Sequence, residues 1–116
     1  MKIPIIVVDG GDVGLYLSKE EVEQDLEAID VKQNTFKAFD AEGRVLTLFV
    51  EKITEKKLFG IFINIYEKVI IKESECGGSD VNGLKVILKK YINYKAGGDY
   101  MFLNSNLDYL IELAMR

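Results

Sequence analysis

Ile5-Ile6-Val7-Val8-Asp9-Gly10-Gly11-Asp12-Val13-Gly14-Leu15-Tyr16-Leu17 consists of two apolar runs separated by four turn-forming residues. The first run, Ile3 to Val8, is dominated by β-branched side chains, which suit a pleated strand. It holds the only proline, Pro4, near its start, where a strand tolerates a missing N–H. Asp9-Gly10-Gly11-Asp12 supplies the glycines that tight hairpin turns need for positive φ. Val13, Leu15 and Leu17 then alternate with Gly14 and Tyr16, the period of a half-buried strand. The chain is therefore expected to open on an antiparallel hairpin.

Downstream of the hairpin, Ser18-Lys19-Glu20-Glu21 has the spacing of a capping box, with a serine hydroxyl and a glutamate able to satisfy helix N-terminal amides. Val22, Leu26 and Ile29 follow at helical spacing, so one surface helix of about eleven residues is predicted. Glu20, Gln24 and Glu27 then lie on the solvent face opposite the apolar stripe, flanked by Glu23 and Asp30. Strands are expected at Thr35–Phe39 and Arg44–Ile53, joined by the turn Asp40-Ala41-Glu42-Gly43. Thr54-Glu55-Lys56-Lys57 reads as a charged link to a further strand from Leu58 through Tyr66, which Lys68–Lys72 extends or bends. In that strand Phe59, Ile61, Ile63 and Ile65 share one face, and Phe62, Asn64 and Tyr66 the other. Such short links point to an antiparallel meander.

The last third is helical. Ser79 or Asp80 is placed to cap a helix over Val81–Lys95, with Val81, Leu84, Leu88, Tyr91 and Ile92 facing inward. Gly97-Gly98 ends it. Asp99–Leu103 fits either a short strand or an extended connector. Ser105 or Asn106 begins a final helix that buries Leu107, Leu110, Ile111 and Ala114 and pairs Glu112 with Arg116. The expected fold is α+β: an antiparallel sheet of five or six strands packed with about three helices, as one domain spanning residues 1–116.

With 48% hydrophobic and 29% charged residues over 116 positions, the chain is globular and long enough for a single core. The Ile3–Val8 run is too short for a membrane span or a secretory segment, so a cytoplasmic protein is expected. Cys76 is the only cysteine and there is no histidine. An internal disulfide is thereby excluded, a zinc site is disfavoured, and Cys76 lacks the usual base of a nucleophilic thiol. Gly77-Gly78-Ser79 precedes a helix, but no Walker or dinucleotide-binding pattern accompanies it, and Asp80 sets a negative charge where an anion would bind. No cofactor, metal or catalytic residue is expected, and Asp9-Gly10-Gly11-Asp12 is read as a turn rather than a calcium loop.

The net charge of −4 is unevenly placed. Residues 1–50 hold ten acids against five bases, whereas residues 51–116 hold nine against ten. Most of the excess lies in Lys19–Asp30, where Glu20, Glu21, Glu23, Asp25, Glu27 and Asp30 face a single Lys19. Such a patch repels nucleic acid and attracts a basic partner; it also serves as an ordinary solvated face. The candidate partner-binding residues are Asp9, Asp12, Glu20, Glu23, Glu27, Asp30, Asp40 and Glu42. Phe36, Phe39, Phe49, Phe59 and Phe62 read as core, while Tyr94, Tyr100 and Phe102 around Gly97-Gly98 form a second candidate surface.

Read in order, Asp9-Gly10-Gly11-Asp12, Ser18-Lys19-Glu20-Glu21, Ile29-Asp30-Val31 and Phe39-Asp40-Ala41-Glu42-Gly43-Arg44 resemble a family of small bacterial immunity proteins from polymorphic toxin loci. The resemblance covers about the first 45 residues, and residues 47–116 carry no matching motif. It implies a non-catalytic protein that binds and neutralises a cognate toxin domain; run length and acidic charge add the expectation of no membrane association and no direct contact with nucleic acid. A basic nuclease-type toxin would be complementary to the acidic patch. The alternative expectation is a structural or adaptor domain that associates with itself through exposed strand edges.

Overall fold

The structure, a computed structural model, describes residues 1–33, 36–56, 60, 63–74 and 78–116. Strands β1 (Ile5–Asp9) and β2 (Asp12–Tyr16) form the opening hairpin, with Asp9 facing Asp12 across Gly10-Gly11. Gly10 has φ +60°, the left-handed conformation that the turn requires. Strand β3 (Phe36–Phe39) lies on the other side of β1, and β4 (Val45–Lys56) and β5 (Ile63–Glu73) complete a five-stranded antiparallel sheet in the order β2-β1-β3-β4-β5. From β3 onward the strands follow one another as a meander. The departure is at the start, where β2 lies outside β1 and the chain must cross the sheet to reach β3.

That crossing is made by α1 (Lys19–Asp25) and α2 (Ala28–Lys32), which cover one face. Helices α3 (Val81–Ala96) and α4 (Leu107–Met115) cover the other. β1 is buried on both sides, which is the physical reason its sequence is an unbroken apolar run rather than an alternation. Ile5 and Val7 pack with Val22, Ala38, Leu46 and Ile71 under α1. Ile6 and Val8 pack with Phe39, Leu84, Leu88 and Leu110 under α3 and α4. Each wholly buried Leu or Ile contributes roughly 1.5–3 kcal/mol, so the two cores both matter to stability.

The single acidic helix expected over Ser18–Asp30 is two helices, bringing the total among the described residues to four. Leu26 and Glu27 adopt extended backbone (ψ 138° at each), which breaks the helix between them. The break turns α2 so that Val31 is buried while Ile29, expected on the apolar stripe, is 61% exposed. The capping box is present: Ser18 Oγ accepts from the Glu21 amide at 3.1 Å. Glu21 in return accepts from the Leu17 amide at 3.0 Å, one residue before the serine.

Thr54–Lys56, expected in a link, belongs to β4, because a continuous ladder from Leu46↔Glu73 to Lys56↔Ile63 holds it in register. Among the described residues β3 reaches β4 at Val45 and Leu46, so the ladder from Thr47 onward is a two-stranded arm. Ten residues at about 3.4 Å each give it a reach of roughly 34 Å. The arm accounts for the elongated 63 × 30 × 23 Å shape and the 17.1 Å radius of gyration, against roughly 13 Å for a compact domain of this length. Ile63 and Ile65 share the face opposite Asn64 and Tyr66, as the alternation predicts; Phe59, Ile61 and Phe62 lie outside the described residues, as does Cys76.

The C-terminal helices match their expected limits closely. Asp80 Oδ1 accepts from the Gly83 amide at 2.9 Å, and Gly97 (φ +77°) ends α3. Asn106 caps α4, and Glu112 meets Arg116 at 3.0 Å. Leu84, Leu88 and Ile92 are buried, with Val81 and Tyr91 half-buried beside them. Asp99–Leu103 is a connector, held by the Tyr100 amide donating to Asn93 Oδ1 at 2.8 Å.

Candidate interaction surfaces

The acidic segment sorts into side chains that hold the fold and side chains that face solvent. Glu23, expected on the solvent face, is half-buried, and its Oε2 accepts from the Ile71 amide at 3.0 Å. β5 is an edge strand, so this carboxylate satisfies an outward N–H that no neighbouring strand can reach. Asp25 accepts from the Tyr16 hydroxyl. Burial of Tyr16, together with that hydrogen bond and the charge of Asp25, pushes the phenol up to about 12. Glu21 is held at the helix cap. Glu20 and Glu27 remain exposed on α1 and at the start of α2, with Asp30 exposed one turn further along.

Asp40 is not a surface residue. It is 0% exposed, its Oδ1 accepts from the amides of Glu42 (2.9 Å) and Arg44 (3.0 Å), and its Oδ2 lies 3.4 Å from the Lys2 amide. Ionised aspartate offers lone pairs to several amides at once, which is why it organises the β3–β4 turn from within. Glu42 is exposed at the crest of that turn. Gly43, at φ +84°, lies against α3: a Cβ there would be 2.7 Å from Val81 Cγ2.

Asp9 and Asp12 are exposed but do not join the acidic layer. The pairing Asp9↔Phe36 and Ile6↔Phe39 sets them at the end of the sheet opposite Asp40 and Glu42. There Asp12 shares a groove of about 470 Å³ with Val86, Lys90 and Tyr94 of α3. The eight candidate acids therefore fall into three places: Glu20, Glu27 and Asp30 on α1–α2, Asp9 and Asp12 beside α3, and Glu42 at the far turn, with Glu23 and Asp40 committed to the fold.

Sequence reading passed over the counterpart of the acidic layer. Helix α3 holds Lys85, Lys89, Lys90 and Lys95 and no acidic residue, whereas Lys19–Lys32 holds six acids against two lysines. The sheet lies between them, so the molecule is electrically polar across its thickness. Lys89 lies over the Phe102 ring and bonds Ser105, and Lys95 donates to the Ala114 and Arg116 carbonyls, so these two also brace the C-terminal connection. Of the aromatic surface expected near Gly97-Gly98, Tyr94 is 84% exposed, while Tyr100 and Phe102 pack together against the core. Met101 and Leu103 are the exposed members of that connector.

The arm is the third surface. Val31 and Lys32 of α2 cover its base, where Lys32 pairs with Glu67. Beyond that point Ile63 (59% exposed) and Ile65 (54%) stand uncovered on one face. On the other face the cross-strand pairs Phe49↔Ile70 and Ile53↔Tyr66 flank the charged pair Glu51↔Lys68, with Phe49, Ile53 and Ile70 half-buried and Tyr66 exposed. Lys72 lies 5.0 Å over the Phe49 ring, and Tyr66 donates to Glu55 at 3.2 Å.

Among the described residues no group of three or more potential ligands is gathered for a metal ion, and no helix is long and apolar enough to cross a membrane. Compared with protein-family models, curated proteins and solved structures, the chain gives no match.

Proposed function

We propose that the chain is an immunity-type inhibitor: a non-catalytic cytoplasmic protein that binds and neutralises a toxic enzyme through the acidic α1–α2 layer. The observation that supports this reading most is the segregation of charge across the sheet, six acids and two lysines in Lys19–Lys32 against four lysines on α3 and two acids on α4. Such a polar molecule is turned by the field of a cationic partner before contact, and complementary charge raises association rates accordingly. Glu21, Glu23 and Asp25 hold internal bonds, but their charge still adds to that long-range field. Glu20, Glu27 and Asp30 are the side chains exposed for direct contact. The ordered motifs of the first 45 residues, which resemble immunity proteins, agree with this reading.

The test is co-expression with the toxin encoded beside the gene, comparing the unchanged protein with Glu20→Lys/Glu27→Lys. Both sites are exposed, so the variant keeps the fold while reversing the layer's charge. Protection is expected to fall, with association slowed at least tenfold at low salt and less so at high salt, as screening predicts. Full protection with an unchanged association rate would remove the acidic layer from the mechanism.

A further inference from the structure

We infer that two copies of this chain join edge to edge through β5, in the register centred on Tyr66. The inference is independent of the inhibitor reading. Among the described residues, β5 has β4 on one side and no strand on the other. Because the Ile71 amide points outward to Glu23, alternation directs the backbone groups of Ile63, Ile65, Glu67 and Val69 outward as well. Native proteins guard such edges with charges, bulges or covering segments. Here Glu23 guards Ile71 and α2 covers the base, but Ile63 and Ile65 are apolar, exposed and unguarded.

The guard also selects the register. Antiparallel pairing about a two-fold axis at Tyr66 sets the open stretch Asn64–Lys68 against itself and stops short of both Val69, which is buried, and the amide that Glu23 occupies. Ile65 then faces the second copy's Glu67, Asn64 faces its Lys68, and Tyr66 faces Tyr66 at a close, non-hydrogen-bonded position. No like charges oppose one another. A shift of two residues toward the base would set Glu67 against Glu67 and require Glu23 to leave Ile71. In the Tyr66 register the Ile53–Tyr66 pairs of both copies meet on one face. Five paired residues span roughly 17 Å, a small contact by the standard of about 1,000 Å² for stable association, so the dimer is concentration-dependent.

Light scattering after size exclusion, from about 5 to 500 µM of the full chain, is expected to show mass rising from 13.1 kDa toward twice that value. Ile65→Pro removes an outward N–H that β4 does not use, a change that edge strands tolerate, and should hold the chain monomeric with its circular dichroism unchanged. In a Cys76→Ser background, Tyr66→Cys should cross-link to a covalent dimer on oxidation, whereas Asn64→Cys, facing Lys68, should not. A monomer at every concentration overturns the inference. So does a dimer that survives Ile65→Pro, or cross-linking that is equal at positions 64 and 66.

Discussion

Replacing Glu23 by alanine separates a structural carboxylate from a merely exposed one. Its Oε2 accepts from the Ile71 amide at 3.0 Å, and Ile71, on β5 beneath α1, is 0% exposed. Truncation strips a charged acceptor from a buried N–H. The cost of an unmet buried donor is about 1–3 kcal/mol, and hydrogen bonds to charged groups lie at the upper end. The expected loss is therefore about 1.5–3 kcal/mol in urea unfolding, or roughly 6–12 °C in melting temperature for a chain of this size. Glu23→Gln keeps an acceptor oxygen and should lose only about 1 kcal/mol. Glu20→Ala and Glu27→Ala, at exposed sites, should stay within about 0.5 kcal/mol of the unchanged protein. Hydrogen exchange gives a local readout, since the Ile71 amide should exchange about tenfold faster in Glu23→Ala, the equivalent of about 1.4 kcal/mol. If Glu23→Ala and Glu20→Ala unfold within 0.5 kcal/mol of each other, the edge-guarding role assigned to Glu23 is wrong.

Two further outcomes follow from the same geometry. Asp40→Ala should cost about 2–4 kcal/mol by thermal or denaturant unfolding, because the Glu42 and Arg44 amides lose their shared acceptor; Asp40→Asn, which keeps one oxygen, should cost roughly half as much. Tyr16 is raised from 10 to about 12 by burial and by Asp25, so the folded state favours the neutral phenol. Its contribution is fully present below pH 10 and is lost as pH rises through about 12. The stability gap between the unchanged protein and Tyr16→Phe should accordingly narrow over that interval in chemical denaturation; a gap independent of pH would contradict the assignment.

Elements whose cause is local were legible in the sequence. The Gly10-Gly11 turn, the Ser18 cap, the Asp80 and Asn106 caps and the Gly97 stop all depend on backbone groups within a few residues of the side chain that satisfies them. The inward faces of α3 and α4 were legible for the same reason, because a helix repeats its apolar positions at a fixed period. The continuous Ile5–Val8 run marked a buried strand, though not that separate helix layers would cover its two faces.

Tertiary packing alone decided the rest. Ser18–Asp30 has the spacing of one helix, and it breaks at Leu26 because the chain must cross the sheet from β2 to β3 with Val22 and Val31 both facing inward. Glu20, Glu23 and Glu27 are equivalent by composition. Only the approach of β5, 48 residues away in sequence from Glu23 at Ile71, makes one of them a hydrogen-bond acceptor inside the fold and leaves the other two in solvent. The order of residues fixed which side chains could meet an amide nearby; which distant amide came within reach depended on how the strands were laid side by side.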